Sequence, residues 1–148
     1  MYVLLIFFHI IFASVWAGGH LVLCTTILPK ALSKKDCNLI LNFESNYEKI
    51  GIPSLIGQII TGTLLFFMRA DYQFSMLFDW NNFLGWHFIL KLITLAITLL
   101  LALHARFKII PALQSSTLTL LAIHIILVTL LSIFFILIGL SLRLNLFY

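Results

Sequence analysis

Hydrophobic and polar positions follow one another along this chain in long blocks. Four apolar stretches are separated by short polar segments, and each is long enough to cross a bilayer. Because about 20 apolar residues span the hydrocarbon core of a membrane, the pattern predicts four transmembrane helices. They cover residues 1–29, 50–68, 83–107 and 117–142.

The segments between these spans are short and polar. Residues 30–49 have mixed charge and several apolar positions, which favours a short interfacial helix between the first two spans. Trp80 and Trp86 lie on either side of the start of the third span, where tryptophan is typical of the membrane interface. We therefore predict an all-α, four-helix transmembrane bundle that forms a single domain over residues 1–148.

The second span contains small residues that favour close helix packing. Gly57 and Thr61 lie four residues apart, which places them on one face of the helix. Four thin helices bury little surface, so we predict that this face accepts a second copy and that the protein is a homo-oligomer in the lipid.

The composition agrees with a membrane protein and excludes several other classes. The chain is 62% hydrophobic and only 9% charged, whereas soluble domains are about 45–50% apolar and about 25% charged. A soluble domain, a nucleic-acid-binding protein and a disordered tail are therefore excluded. The two cysteines, Cys24 and Cys37, are too few for a thiolate metal site or a disulfide framework.

The basic residues indicate an orientation. Arg69 and Arg143 lie on the membrane side that holds the N-terminus. The opposite side has six basic residues: Lys30, Lys34, Lys35, Lys49, Arg106 and Lys108. Positive charge is typical of cytoplasmic loops. We therefore predict a multi-pass protein of the bacterial cytoplasmic membrane with both termini outside.

The histidines are the main candidates for chemistry, because all five lie within the predicted spans. They are His9, His20, His87, His104 and His124. Ionisable groups are costly in hydrocarbon, so they usually face a bundle interior and have a function. A purely structural role, hydrogen bonding between helices, is the alternative for any single one.

The first span presents its histidines as a stripe. His9 and His20 are eleven residues apart, so they share a face and lie about 16 Å apart along the axis. Trp16 lies on the same stripe, and Gly18 and Gly19 leave space beside it for a flat group. This arrangement predicts that the first span supplies one axial ligand to each of two b-type haems.

Matching depth in an antiparallel bundle suggests the second ligand of each haem. The third span brings His87 to the depth of His9, and the fourth brings His124 to the depth of His20. His104 lies nearer the surface and is a spare ligand. The pairing depends on depth alone, and either level could instead hold a five-coordinate haem.

Lys91 places a full charge inside the predicted third span. It could be the counter-ion of a haem propionate, an axial ligand or a proton-transfer group. Copper is the rival cofactor, since several histidines could bind copper(II) or zinc. Copper(I) prefers thiolate and thioether ligands, and the three methionines are scattered along the chain.

Three segments resemble a known membrane family in order and spacing. HIIFASVWAGGHLVL (9–23) resembles the first helix of CopD-like (copper resistance protein D) membrane proteins, with its H-x6-W-x-G-G core. IGIPSLIGQIITGTLLF is like the family's helix ending in T-G, and LGWHFILKLITLAITLLLALHARFKIIPAL (84–113) is like its G-x5-K helix and P-x-L turn. The resemblance covers about three-quarters of the chain and implies a four-helix fold and copper handling.

The first and third spans are also similar to those of HemJ-type protoporphyrinogen oxidases. That resemblance implies bound haem b, with His9 and Lys91 as the key residues. From the histidine pattern we predict a membrane-embedded dihaem cytochrome that carries electrons between a quinone or a redox protein and an acceptor. Copper transport and porphyrinogen oxidation are the alternative functions.

Overall fold

A computed structural model describes residues 1–71, 73, 75, 76, 79 and 81–144, and Trp80 lies outside the described residues. Five α-helices occur in this part of the chain: α1 (Tyr2–Val22), α2 (Leu28–Lys34), α3 (Asn38–Arg69), α4 (Phe83–His104) and α5 (Leu118–Leu144). No strand occurs among them. The predicted all-α, four-helix bundle is confirmed.

Four helical stretches of the described chain are long and apolar enough to cross a membrane. They are Tyr2–Lys34, Asn38–Arg69, Phe83–Ala112 and Leu118–Leu144. Each stretch contains one of the four predicted spans. The first and fourth predicted spans begin one residue earlier, at Met1 and Thr117. The protein is therefore a multi-pass membrane protein.

The helix α3 begins earlier than the predicted second span. Residues 30–49 divide between two helices: residues 30–34 lie in α2, which continues α1 through a π turn, and α3 runs unbroken from Asn38 through Pro53 to Arg69. Ile40, which is fully buried, belongs to the apolar cluster at this end of the bundle, and Phe43 packs against that cluster.

Two short π-helical turns each precede a proline. Leu23–Ile27 joins α1 to α2 just before Pro29, and Ala105–Ile109 extends α4 just before Pro111. Proline lacks an N–H and its ring clashes with the carbonyl four residues earlier. The wider π turn accommodates the ring, and both helical stretches continue past the proline.

The helices pack mainly in two pairs, α1 on α3 and α4 on α5, and α1 also contacts α5. A buried apolar cluster lies at one end of the bundle, near the connections 35–37 and 113–117. We call it the apolar end cluster: Leu23, Leu28, Ala31, Ile40, Ile109, Leu118, Leu121, Ala122 and Ile125. At the same end Arg106 forms an ion pair with Glu48, which ties the extension of α4 to α3.

The small-residue face of α3 packs inside the chain. A Cβ at Gly57 would overlap the ring of Phe12 on α1. Thr61 is hydrogen-bonded to His9, which also lies on α1. The expectation that this face accepts a second copy is therefore wrong, because α1 of the same chain already covers it. Homo-oligomerisation itself stays a prediction.

Candidate functional site

His9 is held in one orientation by α3. Its Nδ1 lies 2.9 Å from Oγ1 of Thr61, and that hydroxyl donates its hydrogen to the carbonyl of Gly57 at 2.7 Å. With the threonine hydrogen on this carbonyl, the threonine oxygen accepts from His9, and we assign the tautomer in which Nδ1 has the proton and Nε2 has the lone pair. Gly62 makes room for the ring, since a Cβ there would lie 3.1 Å from Cε1 of His9.

Lys91 brings a positive charge to the same level of the bundle. It is close enough for its charge to act on the ring of His9. On α5, Gly139 lies beside it, since a Cβ there would be in ordinary van der Waals contact with Nζ of Lys91, at 3.6 Å. The residues His9, Thr61 and Lys91, which we call the polar centre, thus come from α1, α3 and α4, with α5 lining one side.

His20 has a different environment. Both of its ring nitrogens are buried, and neither has a hydrogen-bond partner among the described residues. Its ring contacts Trp16 edge-on, with centroids 4.5 Å apart, and faces Tyr47 at 5.8 Å. The hydroxyl of Thr129 on α5 donates to its backbone carbonyl at 3.2 Å. A buried polar group without a partner is costly, so this imidazole is a candidate to bind a ligand.

The space beside Gly19 is filled by a residue of the chain itself. A Cβ at Gly19 would overlap the ring of Tyr47, whose hydroxyl donates to the carbonyl of Trp16 at 2.9 Å. In the described structure the flat group beside Gly19 is this phenol ring, so a cofactor here would have to displace Tyr47, and Gly19 as a cofactor-binding residue stays a prediction. Gly18 remains open, with no atom within 4 Å of a Cβ, and it borders a groove of about 340 Å³ between α1 and α3.

His104 and His124 are bonded to each other. Nδ1 of His104 lies 2.9 Å from Nε2 of His124, and Nδ1 of His124 lies 3.0 Å from the carbonyl of Leu120. A carbonyl only accepts, so Nδ1 of His124 donates to it, and in the neutral ring Nε2 accepts from His104. A metal held linearly between two imidazoles would separate the nitrogens by about 4 Å, twice a bond of about 2.0 Å. The observed distance is that of a direct hydrogen bond.

His87 is also engaged by protein groups on both sides of its ring. Its Nδ1 lies 2.7 Å from the carbonyl of Phe83, and its Nε2 lies 3.0 Å from the hydroxyl of Ser141 on α5. The residue is 1% exposed, yet it lines a cavity of about 380 Å³ between α4 and α5. His87 thus links two helices beside an open volume.

The stripe predicted on the first span is confirmed, because His9 and His20 both face α3, at Thr61 and Tyr47 respectively. The contacts between helices differ from the predicted pairs. The spare His104, rather than His20, contacts His124, and His87 bonds to Ser141. Depth along the axis was the only basis for the pairs, and depth does not determine which way each helix is rotated.

Sequence reasoning missed three polar residues that shape the site: Tyr47, Ser141 and the hydroxyl of Thr61 as a histidine partner. Tyr47 was missed because it lies in the segment assigned to an interfacial helix. Ser141 and Thr61 had a usable signal, since a hydroxyl in an apolar span often bonds a polar residue of a neighbouring helix.

No group of three or more histidine, cysteine, aspartate or glutamate residues is placed to hold a metal ion within the described part of the chain. Comparison of the chain with protein-family models, with curated proteins and with solved structures found no match.

Proposed function

We propose that this protein is a membrane-embedded b-type haem protein that carries electrons, with His9 and His20 each offering one axial nitrogen. The single observation that carries the proposal is the buried imidazole of His20, neither of whose nitrogens has a partner in the described structure. Haem iron takes four nitrogens from its porphyrin, so one or two imidazoles complete its coordination.

The hydrogen bond between His9 and Thr61 supports the same assignment. Metal-binding histidines usually donate their second N–H to a protein oxygen, which fixes the tautomer and leaves the other nitrogen for the metal. His9 has this form, since Nδ1 donates to Thr61 and Nε2 has the lone pair. Lys91 would supply a positive charge beside this level, suited to a haem carboxylate.

The separation of the two histidines suits a role in electron transfer. They lie eleven residues apart on one face of α1, about 16 Å along the helix. A haem bound at each would supply a one-electron redox centre at its own depth. We also propose that the protein lies in the bacterial cytoplasmic membrane with both termini outside, because basic residues predominate on the opposite side.

The test is the haem content of single-histidine variants purified in detergent. A pyridine haemochrome assay, with the reduced α and β bands recorded on the same sample, gives haems per chain. We expect about two in the unchanged protein and about one in each of His9→Ala and His20→Ala.

His87→Ala and His124→Ala are the matched controls, because the rings that they remove are hydrogen-bonded to protein groups. Both are expected to keep the full haem content. Full haem in His20→Ala would contradict the proposal. A colourless protein that contains stoichiometric copper would replace it with the copper-handling function that the CopD resemblance implies.

A second candidate, oxidation of protoporphyrinogen, is favoured by one observation. The two residues that the HemJ resemblance implies as essential, His9 and Lys91, are electrostatic neighbours in the polar centre although they come from different helices. Porphyrin fluorescence would measure formation of the oxidised product in membranes. This function predicts turnover that is lost in His9→Ala and Lys91→Met and kept in His124→Ala.

A further inference from the structure

The ring of Tyr47 lies between His20 and the groove that separates α1 from α3. On one side, the centroid of the phenol ring is 5.8 Å from that of the His20 ring. On the other side, the phenol lines the groove of about 340 Å³ together with Gly18 and Gly19. His20 is not among the residues that line this groove, so Tyr47 separates the buried imidazole from it.

The groove opens toward lipid and has room for a ring. Val22 and Ile50 line it and are 47% and 58% exposed, on two helices that cross the membrane. A Cβ at Gly18 would meet nothing within 4 Å. Volumes of about 300–1,000 Å³ are typical of pockets for small molecules, so the groove is large enough to receive a phenol ring.

The hydrogen bonds that hold Tyr47 can be released without leaving a backbone group unpaired. Its hydroxyl lies 2.9 Å from the carbonyl of Trp16 and 3.1 Å from that of Val15. Both carbonyls lie inside α1, where each also accepts from the N–H four residues later. Ser14 lines the groove and provides a hydroxyl for the displaced phenol. Movement of the ring therefore exchanges one hydroxyl contact for another.

Two aromatic rings enclose His20, and they differ in their freedom to move. Trp16 is 9% exposed and contacts His20 from the preceding turn of the same helix. Tyr47 borders the groove and is flanked by Gly19 and Gly51, which present backbone rather than side chains to its ring. Neither nitrogen of His20 has a hydrogen-bond partner among the described residues. Displacement of Tyr47 is therefore the direct way to bring a ligand to this imidazole.

We propose that Tyr47 is a gate, whose ring turns from His20 into the groove beside Gly18 and admits a flat, lipid-soluble ligand from the bilayer. For haem as that ligand, the gate rests on the proposed function, although the movement of the ring can be measured without haem. Tyr47 sets the rate at which the ligand enters and leaves, and His20 supplies the nitrogen that binds it.

The experiment measures how fast diethylpyrocarbonate modifies His20 in the full chain, purified in detergent from cells that make no haem. This small neutral reagent acylates an accessible imidazole nitrogen, and mass spectrometry of the peptides gives a rate for each histidine. The exposed His104 is the reference within each sample.

Two neighbouring glycines of α1 provide opposite changes. Gly19→Ala pushes the phenol ring away and should raise the His20 rate, whereas Gly18→Leu fills the groove and should lower it, each by about fivefold or more. Gly18→Ala is the matched control, because a single methyl group leaves the groove open and the rate unchanged.

Tyr47→Phe tests the hydroxyl while keeping the ring. Loss of its hydrogen bonds should favour the open position and raise the His20 rate by about fivefold. Equal His20 rates in Gly19→Ala, Tyr47→Phe and the unchanged protein would overturn the gate. Equal rates in Gly18→Leu and Gly18→Ala would overturn the groove as the position that receives the ring.

Haem added to the same samples separates the two proposals. The rate of haem binding should follow the order of the His20 modification rates. Modification in the expected order with no haem bound would overturn the electron-carrier function and leave the gate standing. A full haem content with the same modification rate in every variant would overturn the gate alone.

Discussion

The histidines of α1 differ from those of α4 and α5 in the hydrogen-bond partners of their ring nitrogens. His87, His104 and His124 bond to a serine, to a carbonyl or to one another, so they join helices. On α1, His20 has no hydrogen-bond partner among the described residues, and His9 is held by α3, through Nδ1 at the Thr61 hydroxyl and by a hydrogen bond to the backbone of Gln58. Burial of a histidine in a membrane is therefore not in itself a sign of ligand binding, and the state of each nitrogen distinguishes a structural ring from a candidate ligand.

The strongest test of this comparison removes both α1 histidines together. The double variant His9→Ala/His20→Ala is expected to lose all haem, because both proposed axial nitrogens are absent. The double variant His87→Ala/His124→Ala removes as many imidazoles and is expected to keep haem. Reduced-minus-oxidised spectra of the two purified proteins measure the difference, and equal spectra would remove the distinction between the two groups.

A smaller effect is expected from the residue that orients His9. Thr61→Val keeps the shape of the side chain and removes the oxygen that accepts from Nδ1. Loss of such a supporting hydrogen bond typically lowers metal affinity by about 10–100-fold. Haem titration of the apoprotein measures it, with Thr61→Ser as the control that restores the acceptor. If Thr61→Val binds haem as tightly as Thr61→Ser, His9 is not the ligand that we propose.

The packing of Tyr47 beside His20 can be altered from α1. In Gly19→Ala the new methyl group overlaps the Tyr47 ring, which Gly51 confines on its other side. The ring must move and lose its hydroxyl contact, and we expect a net destabilisation of about 1–3 kcal/mol. Gly18→Ala, which meets nothing within 4 Å, should instead stabilise the helix by about 0.5–1 kcal/mol. Unfolding in mixed detergent compares the two, and equal shifts would contradict the placement of Tyr47.

The smallest effect on stability is expected from breaking the hydrogen bond between His104 on α4 and His124 on α5. His104→Leu removes the donor to Nε2 of His124, and interhelical hydrogen bonds in membranes average about 0.6 kcal/mol. We therefore expect a slight loss of stability and an unchanged haem spectrum. A change in the spectrum would show that this pair belongs with the α1 histidines after all.

The sequence predicted the positions on one helix better than the contacts between helices. The spacing of His9 and His20 determines their common face, because the 3.6-residue period relates any two positions of a single helix. The partners of His87 and His124 depend on how α4 and α5 are rotated about their axes, which hydropathy does not encode in spans that are apolar on every side. Tyr47 could not be placed for a third reason, since the polar residues around it hid the continuity of α3.

The long helical stretches have a thermodynamic consequence. Tyr2–Lys34 has 33 residues, about 50 Å at 1.5 Å per residue, whereas the hydrocarbon core is about 30 Å thick. The apolar end cluster lies at the end where Lys30, Lys34 and Lys108 mark the polar boundary. Lipid tails solvate leucine as well as another helix does, so the hydrophobic effect acts only where water is the alternative. Solvent exclusion therefore stabilises this end of the bundle, while close packing and hydrogen bonds must hold the helices together within the bilayer.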